Sequence, residues 1–203
     1  MTIFNYGQVE LEYLSKCDSH LAKAIEKYGF IERAKEPNLF LALVSAIVGQ
    51  QISGKAAETI WNRLLNLTKE ITAENLISQN DEDMRGCGIS YRKISYIKGV
   101  ALAYLDGQLD QSQICKMEDQ EIIEKLTALK GVGVWTAEML LIFSLERKNI
   151  LSFGDLGIKR GIAKVYSDQN VSLEKFRKLK ERYSPYSTVA SFYLWEVASD
   201  KEF

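Results

Sequence analysis

Residues 129–137 read Leu129-Lys130-Gly131-Val132-Gly133-Val134-Trp135-Thr136-Ala137. Apolar residues recur at helical spacing on either side: Ile122, Ile123, Leu126 and Leu129 before the glycines, and the apolar run Trp135–Leu145 after them. A tight turn between antiparallel helices needs residues that tolerate positive φ or close backbone approach, and Gly131 and Gly133 supply that. Val132, between them, is placed to pack into the helix pair. The amides of Gly131, Gly133, Trp135 and Thr136 then stand at or near a helix N-terminus, where N–H groups and the positive end of the helix dipole favour a phosphate. Such a contact reads the backbone of a nucleic acid rather than its sequence. A purely structural turn explains the same glycines, and the turn alone does not separate the two readings.

Outward from the turn, the 3.6-residue period dominates. Ala57, Ile60, Trp61, Leu64 and Leu65 line one face of a helix, Leu39–Val48 reads as a buried helix, and Thr188–Val197 as a last buried one. Asp119 is placed to cap a helix over Glu121–Leu129. Breaks fall at Gly86-Cys87-Gly88, at Gly107 and at the Gly131–Gly133 turn, while Pro37 and Pro185 precede apolar helical patterns. Neither alternating strands nor a tandem repeat is evident, so the expected fold class is all-α with about eight to ten helices.

The 203 residues are 46% hydrophobic and 26% charged, with a net charge of −1. No apolar run reaches the roughly 18 residues of a membrane helix. The acidic N-terminus lacks the basic start of a signal peptide, so a cytoplasmic protein is expected, nucleoid-associated in a bacterium or nuclear in a eukaryote. Cys17, Cys87 and Cys115 are scattered and there is a single histidine, His20, which leaves little material for a histidine-rich metal site or a Ser-His-Asp triad. The charge balance argues against gripping nucleic acid by bulk charge. Two segments are nonetheless locally basic: 85–98, with Arg85, Arg92, Lys93 and Lys98 and no acid, and 159–182, with eight bases and three acids. Either one reads equally well as a solvated helix face.

Five motifs in order carry a resemblance that spans nearly the whole chain. They are Ala46-Ile47-Val48-Gly49-Gln50-Gln51-Ile52-Ser53; Gly88-Ile89-Ser90-Tyr91-Arg92-Lys93 with Tyr96; the 129–137 turn; Leu151-Ser152-Phe153-Gly154-Asp155-Leu156-Gly157; and Pro185-Tyr186-Ser187 leading to Leu194-Trp195. Together they resemble the helix-hairpin-helix (HhH-GPD) DNA glycosylases, most closely the 3-methyladenine glycosylase II branch. Two departures stand out: Lys130 replaces a common proline in the hairpin, and Ser152 replaces the usual proline of the loop before Asp155.

The resemblance implies a two-lobed helical fold with the DNA and active-site cleft between lobes and no N-terminal β domain. Residues 1–35 would pack with helices of 168–203 as one lobe. Residues 36–167, with the hairpin at about 121–146 and the Asp155 loop, would form the other. It implies a monofunctional enzyme that flips damaged, alkylated bases out of duplex DNA and hydrolyses the glycosidic bond. Asp155 would be the catalytic carboxylate, although an aspartate there reads equally as a helix cap. Bifunctional relatives carry a lysine where this chain has Trp135, so strand cleavage is not expected. Trp135, Trp195, Met139, Phe153 and Leu156 would line the base pocket, and Trp61 would be core. Gly131, Gly133, Trp135, Thr136, Gln51, Ile52, Ser90, Tyr91, Arg92 and Lys93 would contact DNA, with Gln51 as the wedge that fills the vacated space. No cofactor is required. A structural Na+ or K+ ion at the carbonyls of Thr127, Leu129 and Val132 fits the family, and an iron–sulfur cluster does not, since no cysteine follows Cys115. The implied partner is double-stranded DNA with damaged bases, bound by a monomer. Two alternatives remain open at this point: a uracil, mismatch or oxidised-purine glycosylase of the same fold, and a non-catalytic DNA-binding module.

Overall fold

Most of the helices begin where a side chain offers an acceptor for their first amides. In the computed structural model, which describes residues 2–168 and 170–203, the elements run β1 (Thr2–Ile3), α1 (Gln8–Cys17), α2 (Ser19–Tyr28), β2 (Ala34–Lys35), α3 (Leu39–Gly49), α4 (Gly54–Thr68), α5 (Ala73–Ser78), α6 (Asp81–Gly86) and α7 (Tyr91–Leu105). They continue with α8 (Gln111–Ile114), α9 (Asp119–Thr127), α10 (Val134–Phe143), α11 (Leu156–Val165), α12 (Leu173–Tyr183) and α13 (Ser187–Ser199). Side chains of Asp18, Asn38, Ser53, Thr72, Asn80, Ser90, Asp110, Asp155 and Ser172 each accept an amide of the helix that follows. Such a cap stabilises by roughly 0.5–2 kcal/mol. Asp119 is not one of them. It is the first residue of α9, and the cap position belongs to Glu118, whose N–H donates to Glu121 Oε2 at 2.9 Å in a capping box.

The all-α expectation holds. Among the described residues the strands are the two-residue antiparallel pair Thr2↔Lys35 and Ile3↔Ala34. The thirteen helices exceed the eight to ten expected because α5, α6 and α8 are only 6, 6 and 4 residues long. These turns are too short to show a period in sequence.

The chain divides into two units. One comprises the segment up to Lys35 together with Leu141–Phe203, the other Glu36–Leu140. The first boundary falls after Lys35. The second lies near 140 rather than 167, so the Asp155 loop and α11 belong with the terminal segments. The reason is close packing of α11 on α13: a methyl group added at Gly161 would lie 2.1 Å from the Leu194 carbonyl oxygen.

In the terminal unit α13 is the buried centre, with Ser187 through Leu194 and Val197 inaccessible. Phe4 meets Phe192 edge-on at 5.1 Å. Asp18, its side chain fully buried, ties three helices together. Its Oδ1 accepts from the amides of His20 and Leu21 at 2.9 and 3.0 Å. Its Oδ2 accepts from Arg182 Nη1 at 2.8 Å and from the Tyr166 hydroxyl, which lies 2.7 Å from the Tyr183 hydroxyl. In the central unit α3 presents Leu43, Val44 and Ile47 to α4 and α7, where Leu64, Ile94 and Ile97 are equally buried.

Burial pushes the Asp18 carboxyl up, but the bonds from Tyr166, Arg182, Leu21 and His20 outweigh it and hold its pKa below the ordinary value. A depressed folded pKa contributes stability above the unfolded pKa of about 3.9, and the contribution disappears as pH falls through the folded value. Asp18→Asn is therefore expected to cost about 2–4 kcal/mol near neutral pH. In urea titrations its deficit against the parent should shrink progressively below about pH 4.

Candidate active site and nucleic-acid interface

Asp155 caps α11 with φ −83° and ψ 118°. Its Oδ1 accepts from the Ile158 amide at 2.8 Å and from the Trp195 indole Nε1 at 3.0 Å. The residue is 8% exposed. A carboxylate has about four acceptor positions, and both of these bonds fall on one oxygen. Trp195 comes from α13, half-buried, with its ring stacked on Phe143 at 5.8 Å and Phe192 at 6.1 Å. Gly157 makes the approach possible: a methyl group there would stand 2.8 Å from Trp195 Cδ1 and 3.0 Å from Asp155 Oδ1. The cap reading of Asp155 is thus correct, and the same bonds fix the orientation of its carboxylate.

The loop that delivers Asp155 is stitched to α13 by hydroxyls. Thr188 Oγ1 donates to the Arg147 carbonyl at 2.6 Å and accepts from the Ile150 amide at 3.0 Å. Ser191 Oγ donates to the Ile150 carbonyl at 3.2 Å, and Ser187 Oγ to Asn149 Oδ1 at 2.7 Å. Glu146 accepts from the Asn5 amide at 2.6 Å and pairs with Lys35, and Lys148 pairs with Glu10 at 3.0 Å. Ser152, where the resemblance leads to an expectation of proline, is fully buried, and its carbonyl accepts from the Asp155 amide at 3.3 Å. The loop thus gains from side chains a restraint of the kind a proline there would supply. The sequence signal was available in Ser187, Thr188 and Ser191, polar positions in a mainly apolar helix.

The remaining pocket candidates are distributed differently. In the terminal unit Leu156 is 65% exposed at the first turn of α11. Phe153 is half-buried, edge-on to Phe176 at 5.0 Å, with the Lys159 ammonium 3.9 Å from its ring centroid. In the central unit Trp135 is 48% exposed on the first turn of α10, and Met139 is half-buried one turn further on. Trp61, expected in the core, is half-buried instead and borders a surface hollow with Phe40, Leu65 and Tyr104.

Of the two hairpin glycines only Gly131 takes a left-handed conformation, at φ +89°. It also lies flat on Tyr96, whose ring atom Cδ2 would be 2.3 Å from an added methyl group. Gly133 has open space where a side chain would be, and its carbonyl accepts from Ala137 at 3.0 Å as α10 begins. Val132 is buried as expected, and so is Thr136. Gln51 is exposed in the turn after α3 with φ +58°, beside exposed Ile52. Its neighbour Gln50 donates from Nε2 to the Gly131 carbonyl at 2.7 Å.

Ser90 caps α7, Tyr91 donates to Glu82 at 2.8 Å, and Arg92 is exposed. Lys93 differs from expectation. Its ammonium donates to the carbonyls of Val48 at 2.8 Å and Gln50 at 2.7 Å, within the protein. Four of the eight bases in segment 159–182 bond or pair within the protein as well. Lys164 donates to the Val197 and Asp200 carbonyls, while Lys175, Lys178 and Arg182 pair with Asp168, Glu174 and Asp18. For those four residues the structural reading of the charge run is the right one.

An all-helical chain with a glycine hairpin opening a helix, followed by an oriented carboxylate at the head of another, defines a helix-hairpin-helix base-excision architecture. The chain belongs to the HhH-GPD superfamily of base excision DNA repair proteins, whose family model matches residues 44–185. It is 30% identical to DNA-3-methyladenine glycosylase 1 of Schizosaccharomyces pombe, over 98% of this chain and 89% of that one. The crystal structure of a DNA-3-methyladenine glycosidase from Bacillus halodurans superposes with a TM-score of 0.87 at 39% identity, covering 98% of this chain and 93% of the other. The S. pombe 3-methyladenine DNA glycosylase Mag1 in complex with abasic DNA gives 0.85 at 29% identity, covering 97% and 99%.

Gly157→Ala tests the packing at the carboxylate. The methyl group displaces the indole, so stability should fall by about 1–3 kcal/mol despite alanine's better helix propensity. The near-ultraviolet circular dichroism of the Trp195–Phe143–Phe192 stack should change at the same time. Gly99→Ala on the exposed side of α7, where the added methyl group meets nothing within 4 Å, should instead stabilise by roughly 0.4–1 kcal/mol.

Proposed function

We propose that the protein is a monofunctional DNA N-glycosylase that removes alkylated bases of the 3-methyladenine type from duplex DNA and leaves an abasic site. The observation that carries this reading is Asp155, held by the Ile158 amide and the Trp195 indole in a chain that belongs to a base-excision family. Cleavage of an N-glycosidic bond develops positive charge on the sugar. An oriented carboxylate stabilises that charge and directs or deprotonates the attacking water. Trp135 stands at the position where a lysine nucleophile would form a covalent intermediate, so the product is an abasic site and an intact strand.

N-alkylated purines are cationic and leave easily. Aromatic faces attract them, by about 0.5–2 kcal/mol depending on desolvation. In the terminal unit Trp195 offers such a face and Leu156 apolar surface, while Phe153 is already packed on Phe176; in the central unit Trp135, half exposed, offers another face and Met139 apolar surface. The amides that open α10 hold a phosphate, and open space at Gly133 permits close approach of the backbone. Gln51 enters the stack as the base leaves it, at a cost of a few kcal/mol that damaged pairs reduce. Ile52, Ser90, Tyr91 and Arg92 flank that contact.

The hairpin carbonyls of Thr127, Leu129 and Val132 are neutral oxygen donors suited to a monovalent ion. The Leu129 carbonyl accepts from the Val132 amide at 3.1 Å, which occupies one of its two lone pairs and leaves the donor set usable. An ion held there would add positive charge beside the phosphate.

Asp155→Asn should reduce release of methylated purine from duplex DNA by at least about 10²–10³-fold while duplex affinity is kept. Strands treated with the parent protein should break only after alkali. Breakage without alkali would rule out the hydrolytic route. Release confined to uracil or 8-oxoguanine duplexes would rule out the alkylated substrate.

A further inference from the structure

The turn that presents Gln51 is held in an unusual way. Helix α3 ends at Gly49, and the capping amide of Gln50 reaches the Ile47 carbonyl only at 3.4 Å. Carbonyls at a helix C-terminus lack internal partners and carry partial negative charge. Two in this stretch, Val48 and Gln50, converge on the ammonium of Lys93 at 2.8 and 2.7 Å. The next residue, Gln51, sits at φ +58°, a region a non-glycine side chain occupies only when its surroundings impose it. On the other side Gln50 Nε2 ties the turn to the Gly131 carbonyl of the hairpin. Lys93 is half-buried, in the first turn of α7. Burial pushes its pKa down, and the neighbouring Arg92 pushes in the same direction.

We infer that Lys93 is a positioning residue for base extrusion rather than a phosphate contact: its ammonium clamps the Val48 and Gln50 carbonyls and so holds Gln51 in the strained, outward conformation from which it enters the base stack. The inference rests on the reading of Gln51 as the wedge. A lysine at this place serves two purposes. It supplies donors to carbonyls that no backbone amide satisfies well, and its long stem lets α7 hold the turn without a backbone contact. Through Gln50 the same clamp fixes the wedge turn in register with the glycine hairpin, so that gripping the backbone and filling the stack occur on one rigid piece of the central unit.

The test compares single-turnover release of methylated purine from a fully paired duplex with release from a duplex whose lesion sits in an unpaired bulge and is already largely unstacked. Parent, Lys93→Met, Lys93→Arg, Gln51→Ala and the Lys93→Met/Gln51→Ala double variant are measured, with 2-aminopurine beside the lesion reporting unstacking. Lys93→Met should slow release from the paired duplex at least tenfold and lower the 2-aminopurine signal. Release from the unstacked lesion should stay within about twofold, with affinity for undamaged duplex and its salt dependence unchanged. Lys93→Arg, which keeps the cation, should recover most of the paired-duplex rate. In the Gln51→Ala background Lys93→Met should have no further effect.

A fall of about one unit in the slope of log affinity against log salt would make Lys93 a phosphate contact and overturn the inference. So would equal slowing on both substrates, no slowing on either, or Lys93→Arg performing no better than Lys93→Met. If Gln51→Ala slows the paired duplex and Lys93→Met does not, the clamp alone is wrong. If Gln51→Ala slows neither substrate, the wedge reading itself fails and the clamp falls with it.

Discussion

One carboxylate oxygen receives two donors from two helices, and the terminal unit is arranged around that meeting. The Ile158 amide belongs to the first turn of α11 and the indole to α13. For both to reach Asp155 Oδ1, the helices must lie closer than side chains allow. Gly157 and Gly161 are the means: one clears the indole, the other seats α11 on the Leu194 backbone. Phe143 and Phe192 then fix the indole plane from behind. A residue that caps a helix is ordinarily a stability device. Here the same bonds also orient the carboxylate, which its proposed role beside a sugar developing positive charge requires.

The central unit solves a different problem with similar economy. It presents a glycine hairpin and an exposed glutamine, and both are backed by contacts that nothing in the local sequence demands. Tyr96 supports Gly131 from below, and Gln50 and Lys93 hold the turn from either side. Exposed loops acquire defined shapes when buried groups specify them, and here one tyrosine, one amide and one ammonium do so.

Much of this was legible from sequence. The helical period located α3, α4, α9, α10 and α13, because each is rich in apolar residues at helical spacing. The single-turn helices escaped, being shorter than the period needed to detect them. Capping residues were readable in kind but ambiguous by one position, as Glu118 and Asp119 show. The family resemblance pointed to Asp155 and to the hairpin. What it left out was the partner of each group. The resemblance puts Lys93 among the expected DNA contacts, yet only three-dimensional packing reveals that its ammonium turns inward to two carbonyls. In the charge run at 159–182, Lys175 and Lys178 have partners inside the run, at Asp168 and Glu174, while Arg182 and Lys164 turn to Asp18 and the Asp200 carbonyl, far away in sequence. Likewise the boundary near residue 140 depends on the fit of Gly161 against α13, which no local pattern encodes.

The hydroxyl stitching between α13 and the loop before Asp155 changes what kind of rigidity this protein possesses. A proline stiffens a loop by itself, folded or not. Bonds from Ser187, Thr188 and Ser191 exist only while the final helix is docked. Order around the carboxylate is therefore borrowed from a distant part of the chain and is as cooperative as that helix's own packing. Any opening that frees α13, the buried centre of the terminal unit, releases the Asp155 loop with it.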